Sequence, residues 1–227
     1  MRYQGILFDA DDTLFDFQAG NRNAVNALLD EIGYLHPDRY DQYEAVNLAC
    51  WAELEQGRLT QDALRTERFR RFYAEYGIDR DPRRDGDRFV ELLGQQSILL
   101  PHAFETVQAI AERLPVTLVT NGITSVQRNR LAASPLKDLV SGVVISQEVG
   151  ASKPRPEIFH LALEPLGVNP REALMVGDGV NSDIRGANNA GIDACWLNPG
   201  GKELPGGVHA EYVISDIRQC AAIALGE

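Results

Sequence analysis

At 227 residues, 44% of them hydrophobic, the chain is long enough to bury one substantial core and a smaller accessory domain. Its 22 Lys and Arg stand against 33 Asp and Glu, and the formal charge of -11 argues against a nucleic-acid polymer or an anionic membrane surface as the main partner. The 3 cysteines, Cys50, Cys195 and Cys220, are scattered without metal-ligand spacing, and no apolar run has the length of a signal peptide or membrane span, so a cytoplasmic protein is expected.

The first apolar run, Gly5 to Phe8, reads as a strand, and Asp9, Asp11 and Asp12 follow it directly. About a hundred residues then pass before the next strand, an interval too long for a loop. Apolar side chains recur there at helical spacing: Val25, Leu28, Leu29 and Ile32, then Tyr43, Val46 and Trp51, then Phe69, Phe72, Tyr73 and Tyr76. Gly57 to Thr60 and Gly77 to Asp79 read as breaks between these helices, with Thr60 a candidate N-cap. From Val116 onward short apolar runs (116–119, 143–145, 173–176, 194–197 and 212–214) alternate with helical segments (104–114, 125–133, 157–166, 183–190 and 217–225). That order predicts an α/β fold with a parallel sheet covered on both faces. Residues 1–15 and 97–227 form the core, and residues 16–96 form a helical domain inserted after the first strand.

Ligands of open α/β sheets bind beyond the carboxyl ends of the strands, and the unusual polar residues fall there. Asp9, Asp11, Asp12 and Thr13 follow the first strand, Thr120-Asn121-Gly122 the second, Lys153 the third after a short loop, and Gly177-Asp178 with Asp183 the fourth. Each piece alone has a plainer reading: aspartates make turns and caps, "TNG" can turn a hairpin, and Asn181 or Ser182 can cap a helix at Asp183. Thr124 to Gln127 fits a capping box, which favours a helix over a second hairpin strand. Lysine is rare here, at Lys137, Lys153 and Lys202 alone, so Lys153 stands out.

Together the parts fit phosphoryl transfer. A carboxylate at Asp9 can attack phosphorus to form an aspartyl-phosphate. Asp9, Asp178 and a backbone carbonyl near Asp11 offer the oxygen-rich set that suits Mg²⁺. Lys153, Thr120 and the amides around Asn121 and Gly122 can hold the other phosphoryl oxygens. Asp11 can protonate the leaving oxygen and then accept a proton from water. The first of these steps needs Asp11 protonated, above the ordinary aspartate value of about 3.9, and crowding by Asp9 and Asp12 acts in that direction.

The segments "DADDT", "TNG", "SKPRPEIF" and "GDGVNSD", in this order and with a helical insert after the first, resemble the haloacid dehalogenase superfamily of phosphatases. The resemblance spans Asp9 to Asp183. It implies a Rossmann-like core with a mobile helical cap, Asp9 as nucleophile, Asp11 as acid and base, Thr120 and Lys153 on the phosphoryl group, and Mg²⁺ on Asp9, the Asp11 carbonyl and Asp178. Asp183 is implied to stand behind these groups or to orient Lys153. One departure is Asp12, where the commonest pattern of the superfamily has Gly.

True dehalogenases of the superfamily lack a carboxylate two residues after the nucleophile, whereas Asp11 is present here. Phosphonatases use a cap lysine, and residues 16–96 contain none. The resemblance therefore implies a phosphatase, with sugar-phosphate mutase a weaker competitor. "AVNLACWAELEQGRLT", "TNGITSVQRNRL", "VISQEVGASKP" and "CWLN" extend it to nucleoside 5'-monophosphate phosphatases of the pyrimidine nucleotidase type. A small phosphorylated metabolite is then the expected partner, and a sugar phosphate is the alternative. Asn47 and Trp51, four apart on one helix face, are candidate contacts to the nucleoside, unless Trp51 fills the helical core with Tyr43 and Leu54. A receiver-like phosphoswitch also stores phosphate on an Mg²⁺-bound aspartate near a threonine and a lysine, but the Asp9 and Asp11 pair favours turnover. A binding protein without catalysis is the third possibility. His36, His102, His160 and His209 share no spacing and are assigned to structure or surface.

Overall fold

The structure, a computed structural model, describes residues 2–226 apart from the side chains of residues 54, 55, 61 and 62. The chain divides into two compact units, Met1–Phe17 with Ser97–Glu227, and Gln18–Gln96. The first strand, β1 (Gly5–Phe8), is followed by four helices: α1 (Phe17–Glu31), α2 (Arg39–Glu55), α3 (Gln61–Tyr76) and α4 (Pro82–Gly94).

Within the helical unit, aromatic residues at helical spacing meet in one cluster. Tyr43 of α2, Phe69 and Phe72 of α3 and Phe89 of α4 are buried, and the ring centroids of Tyr43 and Phe69 lie 5.4 Å apart, those of Phe69 and Phe89 5.7 Å. The Thr60 hydroxyl accepts from the Ala63 amide at 3.2 Å and starts α3, as the sequence predicts. Asp81 caps α4, with Pro82 in the first turn, where its missing N–H is harmless. The helices α3 and α4 approach so closely that a Cβ at Gly86 would fall 2.7 Å from the Arg65 carbonyl oxygen. Buried Asp85 accepts from Tyr73 Oη at 2.8 Å and from both ends of the Arg80 guanidinium at 2.8 and 2.9 Å.

The rest of the chain runs α5 (Ala103–Ala111), β2 (Val116–Thr120), α6 (Thr124–Ala133), β3 (Gly142–Ile145), α7 (Ser146–Val149), α8 (Pro156–Leu163), β4 (Ala173–Gly177), α9 (Arg185–Ala190), β5 (Asp193–Leu197), β6 (Tyr212–Ile214) and α10 (Gln219–Leu225). The strands form one parallel sheet in the order β3-β2-β1-β4-β5-β6. Alternate side chains feed opposite faces. Ile6, Phe8, Leu118 and Val176 pack with Val107 and Ile110 of α5 and Ala224 of α10. Leu7, Val119, Met175 and Trp196 pack with Ile158 and Phe159 of α8 and Ala187 of α9. Both faces are covered, which is why the strands read as continuous apolar runs. The sheet is the Rossmann-like α/β core expected from the sequence.

β1 lies between β2 and β4, with Phe8 in register with Leu118 on one side and Val176 on the other. The chain goes to one side of β1 for β2 and β3 and to the other for β4 to β6, so the switch in strand order falls at β1, beyond whose carboxyl end open α/β sheets bind their ligands.

Three local expectations need correction. The helix expected over 157–166 closes as α8 at Leu163 and passes into a 3-10 turn, Glu164–Leu166, because Pro165 has no N–H to continue it. The helix expected from Asp183 is preceded and entered by a π-helical turn, Val180–Ile184, and neither Asn181 nor Ser182 caps it; the Gly179 amide instead donates to Asp183 Oδ2 at 2.8 Å. The capping box at Thr124 is absent: Ile123 occupies the N-cap position of α6 without a side-chain bond, and the Thr124 amide donates to Gln147 Oε1 at 2.8 Å. Among the described residues no helix is long and apolar enough to cross a membrane.

Candidate active site

At the end of β1 the Asp9 amide donates to the Val176 carbonyl at 2.9 Å, which fixes the backbone of Asp9 against the neighbouring strand β4. Its side chain is buried and receives the Lys153 ammonium, which also contacts Asp183 Oδ1 at 2.8 Å and donates to the Val119 carbonyl at 2.9 Å. Lys153 is held at its own backbone by Asn121, whose Oδ1 accepts from the Lys153 amide at 2.8 Å while its Nδ2 donates to the Lys153 carbonyl at 2.9 Å. Thr120, at the end of β2, is buried beside this loop.

Asp178 follows β4 and is tied to the β1 loop by Thr13, whose hydroxyl donates to Asp178 Oδ1 at 3.2 Å and accepts from the Asp178 amide at 3.1 Å. Trp196 Nε1 donates to the Asp178 carbonyl at 2.9 Å. A Cβ at Gly177 would lie 2.3 Å from Asp183 Oδ2, so only glycine lets the Asp183 carboxylate reach this place.

Asp9, Asp178 and Asp183 each present a carboxylate oxygen within 4.8 Å of the others. Burial pushes the Asp9 carboxyl well above its ordinary value; Lys153 pulls it back, and Asp183 and Asp11 push it further up. Burial followed by the charge of Asp183 raises Asp178 to about 6. Burial alone would drive the Lys153 ammonium toward neutrality, but Asp183 and Asp9 hold it charged, above the usual lysine value. Three carboxylates face one ammonium, an excess of two negative charges when all are ionised. Hard oxygen donors carrying that excess fit a divalent cation such as Mg²⁺.

Asp11 lies apart from the carboxylate trio. Its Oδ2 accepts from Gln127 Nε2 at 2.7 Å, and its Oδ1 contacts the Arg130 guanidinium. The sequence offered no reason to single out either partner. The capping-box reading uses Gln127, and Arg130 enters no reading of the sequence; the side chains of both run back to the β1 loop. A glutamine followed three residues later by an arginine on one face of the helix after "TNG" was the available signal.

Asp12 has φ of 58°, the left-handed region in which glycine is at ease. Its amide donates to the Phe15 carbonyl at 2.8 Å and its Oδ1 accepts from the Phe17 amide at 3.1 Å. A short side chain that bonds locally is what lets an aspartate occupy such a position, and this accounts for Asp12 where the superfamily pattern has Gly.

Asn47 and Trp51, both on α2, have different surroundings. Asn47 is buried and spends its amide inside the helical unit, donating to Glu44 Oε2 at 3.2 Å and accepting from Arg68 at 3.5 Å. Trp51 is 39% exposed while Tyr43 is fully buried, so Trp51 does not fill the helical core with Tyr43; the Leu54 side chain lies outside those described.

Residues 3–191 match the haloacid dehalogenase-like hydrolases. The chain belongs to this family. Among its relatives are the pyrimidine 5'-nucleotidase YjjG of Escherichia coli, 33% identical over 96% of both chains, and the pyrimidine 5'-nucleotidase PynA of Streptococcus pneumoniae, 35% identical over 88% of this chain and 85% of that one. Among solved structures, the HAD-hydrolase YfnB of Bacillus subtilis bound to magnesium superposes with a TM-score of 0.89 at 30% identity over 99% of both chains. Membership of the family agrees with the resemblance carried by the four motifs.

Proposed function

We propose that this hydrolase is a cytoplasmic Mg²⁺-dependent phosphomonoesterase that cleaves nucleoside 5'-monophosphates through an aspartyl-phosphate on Asp9. The observation that carries the reading is the cluster of buried Asp9, Asp183 and Lys153 with half-buried Asp178 at the switch point of the sheet. The relatives named as pyrimidine 5'-nucleotidases support the choice of substrate.

In this reading Asp9 attacks phosphorus, the bond from phosphorus to the leaving oxygen breaks, and Asp11 gives that oxygen its proton to release the nucleoside. Water then attacks the phosphorus of the aspartyl-phosphate, yields a proton to Asp11, and frees phosphate and the Asp9 carboxylate. Lys153, Thr120 and the amides of Asn121 and Gly122 hold the non-bridging oxygens, where charge resides in the transition state. Asp9, Asp178 and the Asp11 carbonyl would hold Mg²⁺, which would neutralise charge and polarise the phosphoryl group when bound. Asp183 steadies Lys153. Trp51 supplies an aromatic face for the nucleobase, whereas Asn47 acts by holding Arg68 and Glu44 within the helical unit.

The test is phosphate release from nucleoside monophosphates, sugar phosphates and phosphoamino acids, with Mg²⁺ or EDTA, for the wild type and Asp9→Asn. Mg²⁺-dependent release favouring nucleotides and lost in Asp9→Asn is the expected result. A preference for sugar phosphates overturns the choice of substrate, and release that persists in Asp9→Asn overturns the chemistry.

A further inference from the structure

Asp11 is seized from one direction by two side chains of α6. Gln127 and Arg130 are three residues apart and therefore lie on one helix face. Both are buried, Arg130 to 1% exposure, and its guanidinium carbon sits 4.6 Å from the centroid of the Phe15 ring. Sequestering an arginine from water is costly unless a partner of opposite charge is fixed beside it. An exposed aspartate elsewhere would pair with a surface arginine at far lower cost.

A second observation points the same way. A Cβ at Gly122 would lie 2.7 Å from Gln127 Nε2 and 2.8 Å from its Cγ, so the Gln127 side chain crosses the face of Gly122 on its way to Asp11. The glycine of "TNG" thus has a packing reason that involves the carboxylate of a different loop. The helix carrying both partners begins at Thr124, just after Thr120-Asn121-Gly122 and Ile123, so the loop assigned to the phosphate and the clamp on Asp11 are neighbours in the chain.

We infer that Gln127 and Arg130 are positioning residues that orient the Asp11 carboxyl group for proton transfer to the leaving oxygen, with Gly122 keeping the path of Gln127 open. This rests on the hydrolytic reading above. The clamp contacts Asp11, whose part in the first step is to give the leaving oxygen its proton. Its effect therefore depends on how much the leaving group needs a proton. An alkoxide leaving from a nucleotide or other alkyl phosphate needs one; a nitrophenolate does not.

The experiment compares kcat/KM, which reports the step up to release of the first product, for a nucleoside 5'-monophosphate and for p-nitrophenyl phosphate, using the wild type, Arg130→Met, Arg130→Lys and Gln127→Met. Arg130→Met and Gln127→Met are expected to lower the value for the nucleotide by about 100-fold, within the range of general acid catalysis, while the nitrophenyl ester loses a few-fold at most. Arg130→Lys, which keeps the charge, is expected to recover part of the loss. Thermal unfolding of each variant is followed alongside, and if Arg130→Met fails to fold, Gln127→Met decides the matter. Equal losses with both esters, or a gain with the nucleotide, overturn the inference while leaving the hydrolase intact. A wild type that cleaves neither ester overturns the hydrolytic reading, and this inference with it.

Discussion

Replacing Lys153 by Met removes the cation that stands among Asp9, Asp178 and Asp183, and leaves three carboxylates facing one another. Removing one member of a buried ion pair costs about 3–5 kcal/mol, because the partner stays buried and uncompensated. At roughly 2–4 °C per kcal/mol for a chain of this size, the melting temperature in EDTA should fall by about 6–20 °C. The effect also has a pH signature. Lys153 titrates above its ordinary range in the folded protein, so its contribution is fully present below that range and persists through neutrality. The carboxylates supply the pH dependence. Asp9 and Asp178 are raised, Asp178 to about 6, so their burdens are slight in acid and grow as pH rises through that value. The gap between wild type and Lys153→Met should therefore be small at pH 5 and wide at pH 7.5, and excess Mg²⁺ should narrow it at pH 7.5 by binding the folded form. Differential scanning calorimetry in EDTA at the two pH values reads it directly. A gap below about 1 kcal/mol, or one equal at both pH values, refutes the charge balance drawn for this cluster.

Two further outcomes concern the helical unit. Burial alone would raise Asp85, but the Arg80 guanidinium and the Tyr73 hydroxyl hold it below the usual aspartate value; its stabilisation is therefore present at neutral pH and lost as pH falls through the lowered value. Asp85→Asn should cost about 1–2 kcal/mol in urea unfolding at pH 7, discounted for the partial exposure of Arg80, and progressively less in acid. Trp51→Ala should change stability by no more than about 0.5 kcal/mol, as for an exposed side chain, and raise KM for nucleotides while sparing sugar phosphates; a uniform loss across esters would remove Trp51 from substrate recognition.

The succession of strands along the chain and the strand-end position of the polar groups were legible in the sequence because each depends on a short local pattern, whereas the order of the strands within the sheet was not. Ile6 to Phe8 is apolar on both faces, and Asp9 follows where such a strand must end. Lys153 was legible for another reason: a lysine is conspicuous in a chain that has so few. The grip on Asp11 was not legible, because Gln127 and Arg130 lie more than a hundred residues from Asp11 and a glutamine at the start of a helix also suits a capping role. The difference between Asn47 and Trp51 was hidden as well. Sharing a helix face says nothing about which end of that face meets Arg68 and which meets solvent. Asp12 was readable only as a departure from a pattern, and its explanation, a positive φ supported by a bond to the Phe17 amide, needed the backbone.

The central claim is a covalent phosphoryl group on Asp9. It is tested most directly by mixing Asp11→Asn with ³²P-labelled aryl phosphate, whose leaving group needs no acid, and quenching in acid during turnover. Loss of the base should slow hydrolysis of the intermediate, so that label accumulates as a hydroxylamine-labile adduct mapping to the peptide that contains Asp9. Turnover without any such adduct, or label on another residue, would contradict the account.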